Sequence, residues 1–518
     1  HCGRDRVERQ RGKTLEHSVW TQPVRRNATR AMGASCACVG THAGMADKVV
    51  EKIASREFGS PSSMRATELE VKWMATGELV CSVEATTATC VSDVKRLVEA
   101  RAGIPVEHQR LLLGGRELQG EVLALSPDSA ALLLVRSVSD PRITNLGHFR
   151  PSAAFAPLPE GEFTLVRKLA SGIHGDVFSY RWLRQGLGEE LVAVKKLRKE
   201  CLQREGIAET DERALHLQPW TSEVVAEDAL AEIGVLSYLA RQPDLPDSLL
   251  RMQGVFAGDN SAWLVTEFAE GGELFDVAAS GRACTDAELQ RYAFQLFQAV
   301  AYLHKHCIAH RDISLENILL KGGKVRLMDF GMSVRSHSAS GVPLRFFRAV
   351  GKDFYRAPEA YVPAVTTIKA LMPASAQPGA VAMIKAGGNI LCEVRFPPDA
   401  VPGQPSTAEV WGYAAQPADV FSCGVCLFML AWQCPLWGKA VLADAAFSFV
   451  HERGTGGVEA LLRRWKRPLL APEVMQLLSQ ALHTEPAQRP AAASCLTSAW
   501  FEKAAEDDSL AAGAKGGA

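Results

Sequence analysis

HRDISLEN, His310 to Asn317, is the stretch on which the reading of the whole chain turns. It sets a carboxylate, Asp312, and a side-chain amide, Asn317, close together behind an arginine. A carboxylate in such a place can take the proton of a hydroxyl, and an amide oxygen can hold a hard metal ion. Alone the stretch is a moderately specific signal. Its weight comes from company in fixed order: LASGIHGDV at 169–177, VAVK at 192–195, DFG at 329–331 and APE at 357–359.

This ordered set resembles the eukaryotic protein kinases, whose signature is several short motifs rather than one string. The resemblance implies a bilobal protein kinase fold over 162–503 that uses ATP and Mg2+ to phosphorylate protein serine or threonine. By it, Asp312 is the catalytic base, Asn317 and Asp329 are metal ligands, and Lys195 pairs with the nucleotide phosphates and with a helix glutamate. Glu232, in EDALAEIGVLSYL, matches that glutamate better than Glu227.

Nucleotide contacts follow in the same way. Gly172 and Gly175 let backbone amides approach phosphates because no side chain blocks them. Ala170 stands where the family has its first glycine, which stiffens that hairpin. Val177, Ala193 and Leu319 are the residues expected around the adenine, with Thr266 as gatekeeper, Glu267 to Ala269 as hinge backbone, and Glu273 near the ribose. Glu273 and Glu316 also suggest a substrate with an arginine near its acceptor, through charge-assisted hydrogen bonds. Both are equally readable as solvated glutamates.

The catalytic stretch departs from the family at Ser314, where a lysine is usual, while Lys352 follows Gly351 where a threonine is usual. The two family positions touch. The lysine therefore reads as having changed sides, with Lys352 bringing an ammonium to Asp312 and the transferring phosphoryl group. The other reading has Lys352 solvated and catalysis crippled. Arg311 and the serine-rich segment beyond DFG make Ser336, Ser338 and Ser340 candidate phosphosites. Asp419, in PADVFSCGVCLFML, is expected to tie the catalytic backbone, and Arg489 to pair with Glu359. Tyrosine specificity is disfavoured by SLEN. The flavour is nearest to the calcium/calmodulin-dependent group, although no EF-hand loop occurs.

Upstream, ELEVKW, a turn at Thr76-Gly77 and LVCSVEA read as a hairpin. Val94, Leu97, Val98 and Ala102 then recur at helical spacing, with Ser92 as cap and Gly103 as stop. GIPVEHQRLLLGGREL, Gly103 to Leu118, closely resembles ubiquitin. Residues 67–137 are thus expected to be a ubiquitin-like β-grasp domain, and the fold class is α+β, a bilobal kinase preceded by that domain. The chain runs on past Val135 without a terminal diglycine, and Arg116 replaces the usual linkage lysine, so conjugation is not expected. Leu112 and Val135 fall where ubiquitin presents its aliphatic patch. They read either as a site for a ubiquitin-system partner or as internal packing.

The remainder is less informative. Residues 138–161 are a Pro/Ala-rich linker, and insertions are expected near 201–220 and 362–417, the latter without helical or strand periodicity. Residues 1–66 and 504–518 read as disordered. Within the first of these, Met32 is a candidate start, and Gly33 with Cys36 and Cys38 resembles a dual acylation signal. The alternative is a small-residue tail without an anchor.

The 518 residues exceed one compact domain; Lys+Arg 57 against Asp+Glu 58 gives a net charge of -1, so no global field points to nucleic acid or an anionic membrane. The 13 cysteines are scattered and odd in number, which reads as reduced thiols in a cytoplasmic protein, membrane-anchored only if acylated. No run of about 18 apolar residues occurs. The competing reading is an inactive pseudokinase scaffold that binds partners through its ubiquitin-like domain, motivated by Ala170, Ser314 and Lys352.

Overall fold

In a computed structural model of the chain, residues 67–118, 131–136, 155–159, 162–198 and 228–502 are described, apart from scattered positions inside these spans. The expected N-terminal extension with Met32, Gly33, Cys36 and Cys38, most of the 138–161 linker, Glu227, nearly all of 201–220, Ser340 and the 504–518 tail lie outside the described residues.

Alternating apolar residues in Thr67–Trp73 (β1) and Leu79–Ala85 (β2) pair antiparallel, placing Leu69, Val71 and Val83 on one buried face. Helix α1 (Val91–Ala102) covers that face with Val94 and Val98. Its N-cap is Cys90 rather than Ser92, because the Asp93 carboxylate accepts the Cys90 amide at 3.2 Å. Gly103 ends it in a left-handed conformation, φ 63°. Strands β3 (Gln109–Leu113), β4 (Arg116–Glu117) and β5 (Leu132–Arg136) complete a five-stranded sheet of order β2-β1-β5-β3-β4, with β1 and β5 parallel.

A six-stranded sheet follows, of order β6-β10-β11-β9-β8-β7. It comprises β6 (Ala156–Pro157), β7 (Phe163–Ser171), β8 (Gly175–Arg184), β9 (Gly188–Arg198), β10 (Met252–Ala257) and β11 (Ser261–Glu267). Helix α2 (Ala229–Leu239) precedes β10 and is capped by Asp228, whose Oδ1 accepts from Leu230 N at 2.9 Å. On the sheet face carrying Lys196, the rings of Phe163, Tyr180, Trp182 and Trp263 pack over Val192, Val194 and Val265.

Helices α3 (Leu274–Ala279) and α4 (Asp286–Lys305) then lead into short pairings. Strand β12 (Ile308–Ala309) pairs with β15 (Val334–Arg335), and β13 (Ile318–Lys321) forms a hairpin with β14 (Lys324–Leu327). The catalytic stretch lies between β12 and β13, over a core in which Phe297, Leu303, Phe421 and Phe428 are buried.

The segment 362–417 differs from expectation. It forms a four-stranded antiparallel sheet, order β17-β20-β19-β18, from β17 (Thr367–Leu371), β18 (Val381–Ala386), β19 (Ile390–Arg395) and β20 (Pro405–Val410). Met372, Cys392, Val394 and Phe396 give it a small core of its own. Strand β16 (Arg345–Phe346) pairs with β21 (Tyr413–Ala414), so the chain returns from this sheet onto the segment that follows DFG.

Helix α5 (Ala415–Trp432) comes next, and by length and composition alone it could cross a membrane. It is 83% buried inside the protein, which makes it the central core helix. The nine described cysteines are all free.

Candidate active site

Strand β9 brings Lys195 opposite Val177 of β8 and Leu264 of β11. Its Nζ meets Glu232 Oε2 of α2 at 2.6 Å. Burial raises the Glu232 pKa above the usual carboxylate range, while Lys195 opposes that shift and Asp329 reinforces it. Asp329 also raises Asp312, so the DFG carboxylate lies in reach of both. It sits at φ 65°, a left-handed position unusual for a residue with a side chain.

The glycines of LASGIHGDV have separate reasons. A Cβ on Gly175 would come 1.8 Å from Lys196 O, so only glycine fits there. Gly172 donates its amide to Gly175 O at 2.9 Å, closing the hairpin tip. Ala170, opposite Val177, is exposed. Ala193 faces Thr266 across the sheet, and Leu319 bridges to Glu273.

Glu267, expected at the hinge for its backbone, also engages through its side chain. Its buried carboxylate accepts from Lys321 Nζ at 2.8 Å, Arg326 Nε at 3.2 Å and the Arg251 amide at 3.0 Å. It therefore clamps β11 to the β13–β14 hairpin. Ala269 is half-buried beyond it.

Around Asp312 the hydrogen bonds are dense. Asn317 Nδ2 donates to both Asp312 O and Asp312 Oδ2, each at 2.8 Å. The Lys352 amide donates to Asp312 Oδ1 at 3.2 Å. Its ammonium donates to Ser314 Oγ at 2.6 Å and Asn317 Oδ1 at 3.0 Å, and lies 3.7 Å from Asp312 Oδ2. Gly351 makes this approach feasible: at φ 82° its missing Cβ would stand 2.7 Å from Arg311 O. Burial raises the Asp312 pKa, and Lys352 is the first group that pulls it back.

The backbone behind Asp312 is held by Asp419 of α5. Its carboxylate, wholly buried, accepts from His310 N at 2.8 Å, Arg311 N at 2.7 Å and His304 Nε2 at 3.0 Å. These bonds offset the left-handed φ of 63° at Arg311. The His310 ring is tilted 56° against that of Phe330, centroids 5.2 Å apart, a packing contact. Arg489 makes a bidentate pair with Glu359 at 2.5 and 2.7 Å, both fully buried.

Two expectations change. Ser336 and Ser338 are buried: Ser336 Oγ accepts from Gln416 Nε2 at 2.9 Å, and Ser338 Oγ from Val342 N at 3.1 Å. The β12–β15 pairing draws this segment inward, so neither hydroxyl is presented to solvent. Glu316 Oε2 is buried 4.0 Å from Lys352 Nζ, which leaves Glu273 as the exposed carboxylate of the pair considered for substrate recognition.

Asn317 and Asp329 offer hard oxygen donors suited to magnesium. Among the described residues no group of three or more His, Cys, Asp or Glu side chains could hold a metal on its own.

Residues 163–369 match the family described as protein kinase domain. CBL-interacting serine/threonine-protein kinase 15 of Arabidopsis thaliana is 26% identical over 66% of this chain and 61% of its own length. CBL-interacting protein kinase 20 of Oryza sativa subsp. japonica is 27% identical over 66% and 57%. Calcium-dependent protein kinase 24 of Arabidopsis thaliana is 28% identical over 43% and 36%. The chain thus spans about three-fifths, or less, of these relatives. That similarity joins a motif order which the folded chain converts into one centre of paired charges, and residues 163–369 are similar to a protein kinase domain, with serine/threonine-protein kinases among the relatives.

Proposed function

We propose that the chain is an ATP-dependent protein serine/threonine kinase in which Lys352 supplies the charge that the catalytic loop lacks at Ser314. The observation that carries this reading is the Lys352 ammonium bonded to Ser314 Oγ and Asn317 Oδ1 beside Asp312. Asp312 orients the acceptor hydroxyl and takes its proton, while Asn317 holds the Asp312 carboxylate in place. Lys195, positioned by Glu232, binds nucleotide phosphates. Asn317 and Asp329 would hold magnesium, which neutralises phosphate charge when bound. The exposed Glu273 supports a substrate with an arginine near the acceptor.

Residues 67–137 read as a non-conjugating ubiquitin-like domain. The support is its parallel β1–β5 pair, its helix after the first hairpin, and GIPVEHQRLLLGGREL in β3 and its approach. Leu112, half-buried, lies across from Leu133 and Glu117 on the side opposite buried Leu111. Val135 is placed opposite Arg110, although its side chain is outside the described residues. This face is the one proposed for a ubiquitin-system partner.

The test is transfer of labelled γ-phosphate by the full chain to an arginine-containing serine peptide. We expect no transfer by Asp312→Asn, and a drop of roughly 100-fold in Lys352→Ala from lost electrostatic stabilisation. A folded, ATP-binding parent without transfer would replace this reading with the scaffold; a Lys352→Ala protein as active as its parent would remove the lysine from the mechanism.

A further inference from the structure

Strand β19 lies at the meeting point of three parts of the molecule. Side chains alternate along a strand, so Leu391, Glu393 and Arg395 share one face, roughly 7 Å between successive members. The opposite face, Cys392 and Val394, fills the inserted sheet's own core. Each member of the first face has a different destination. Leu391 is buried in the main core with Tyr413, Phe421 and α4. Glu393, which burial pushes above the usual carboxylate range, pairs with Arg345 of β16 at 2.7 Å. Arg395 stacks on Trp411 at 4.8 Å and is one of the cations acting on the Cys81 thiol of β2.

Trp411 belongs to the hydrophobic cluster of the N-terminal sheet, with Val71, Val80 and Val98, and is 3% exposed. It follows the last strand of the inserted sheet, so a tryptophan from a distant part of the chain is buried in the core of the 67–136 unit. Its amide donates to Glu393 O at 2.9 Å. The next residue, Gly412, rests against Phe346 O so closely that a Cβ would approach to 2.7 Å. Tyr413 then pairs with Phe346. From N-terminal sheet to the segment after DFG, the path is thus Trp411, Gly412 and Tyr413 along the chain, and Arg395 and Glu393 across the sheet.

We propose that the inserted sheet is a receptor for this chain's own N-terminal domain, and that the docked domain supports phosphotransfer by holding β16 through Glu393 and Gly412. The sign comes from the structure: the docked arrangement coexists with the Lys195–Glu232 pair and with Lys352 seated in the catalytic loop. The docked face carries Cys81 at the β2 edge of the sheet, whereas the Leu112 face is on β3. An external partner can therefore occupy the Leu112 face while the domain stays docked. The coupling to phosphotransfer rests on the kinase reading above; the docking does not.

The experiment uses the full chain. Alkylation of Cys81 by iodoacetamide, followed peptide by peptide in the mass spectrometer, reads docking, together with hydrogen exchange of residues 79–85. Transfer to the serine peptide reads the consequence. Removing a buried aromatic anchor by Trp411→Ala should raise the Cys81 rate roughly tenfold and lower transfer. Trp411→Leu gives the same two readings at smaller amplitude if the alanine variant fails to fold. Glu393→Gln should leave Cys81 protected and still lower transfer, because it severs the link to Arg345 and leaves the docking. Unchanged Cys81 labelling and exchange in folded Trp411 variants would overturn the docking. Faster labelling with transfer intact would overturn the coupling. Should the parent transfer no phosphate, the kinase reading falls and the Cys81 result alone still decides whether the domain docks.

Discussion

The ammonium of Lys352 is where residue identity and chemistry meet most sharply. A lysine at that position could have pointed into water; here the left-handed turn at Gly351 carries it under Asp312, where it bonds Ser314 and Asn317. The consequence is testable through pH. Burial raises the Asp312 pKa and Lys352 lowers it. A base works only when deprotonated, so activity fails as pH falls through that pKa. Removing the cation raises the pKa further. In Lys352→Ala the acid limb of kcat/KM should therefore move to higher pH, beyond any loss in rate. A limb that stays in place while the rate falls would mean that Lys352 acts on phosphate and not through Asp312. Ser314 and Lys352 are each departures from a motif, beside a Gly351 in its usual place, which is why the swap is legible in the sequence.

At the scale of elements, the inserted sheet is the part that the sequence reading missed. The signals were present: Val381–Ala386 and Ile390–Arg395 are short apolar-rich runs, and Gly387-Gly388-Asn389 between them is a turn sequence. They were masked by Ala, Pro and Gly, which dilute periodicity, and by a strand, β19, buried on both faces at Leu391 and Cys392. A strand covered on both sides loses the apolar-polar alternation that identifies strands. The return from this sheet depends on one glycine. Gly412→Ala would force a side chain into a left-handed φ of 70° against Phe346 O. It should cost about 1–3 kcal/mol, measured by urea unfolding, and weaken the β16–β21 pairing seen by hydrogen exchange. A variant as stable as its parent would show that the β16–β21 junction tolerates displacement. Helix α1 carries a smaller lesson: Ser92 looked like its cap, but Asp93 reaches back to the Cys90 amide and starts the helix earlier.

For the molecule as a whole, four apolar clusters share the described residues, and three of them bear on how it opens: the large one around α4 and α5, that of the N-terminal sheet, and that of the inserted sheet. Small cores are marginal by themselves. The N-terminal cluster gains Trp411 from the inserted sheet, so the two should lose protection together in urea, below the concentration that opens α5. Native-state hydrogen exchange checks this, and simultaneous opening of all three would contradict it.

The groups of the candidate site were legible in the linear chain because a motif is local. HRDISLEN, VAVK and DFG each place their groups through a few backbone torsions, and their order names the family they resemble. The N-terminal hairpin and helix were legible for the same reason, since periods of 2 and 3.6 are local properties. What folding alone could settle are contacts between surfaces far apart in sequence. The burial of Ser336 under Gln416 and of Ser338, the turning of Glu316 toward Lys352, and the seating of Trp411 in the apolar cluster of the N-terminal sheet are of this kind. No periodicity encodes them, because each depends on two faces meeting at close-packed density, and that match exists only once both faces have formed.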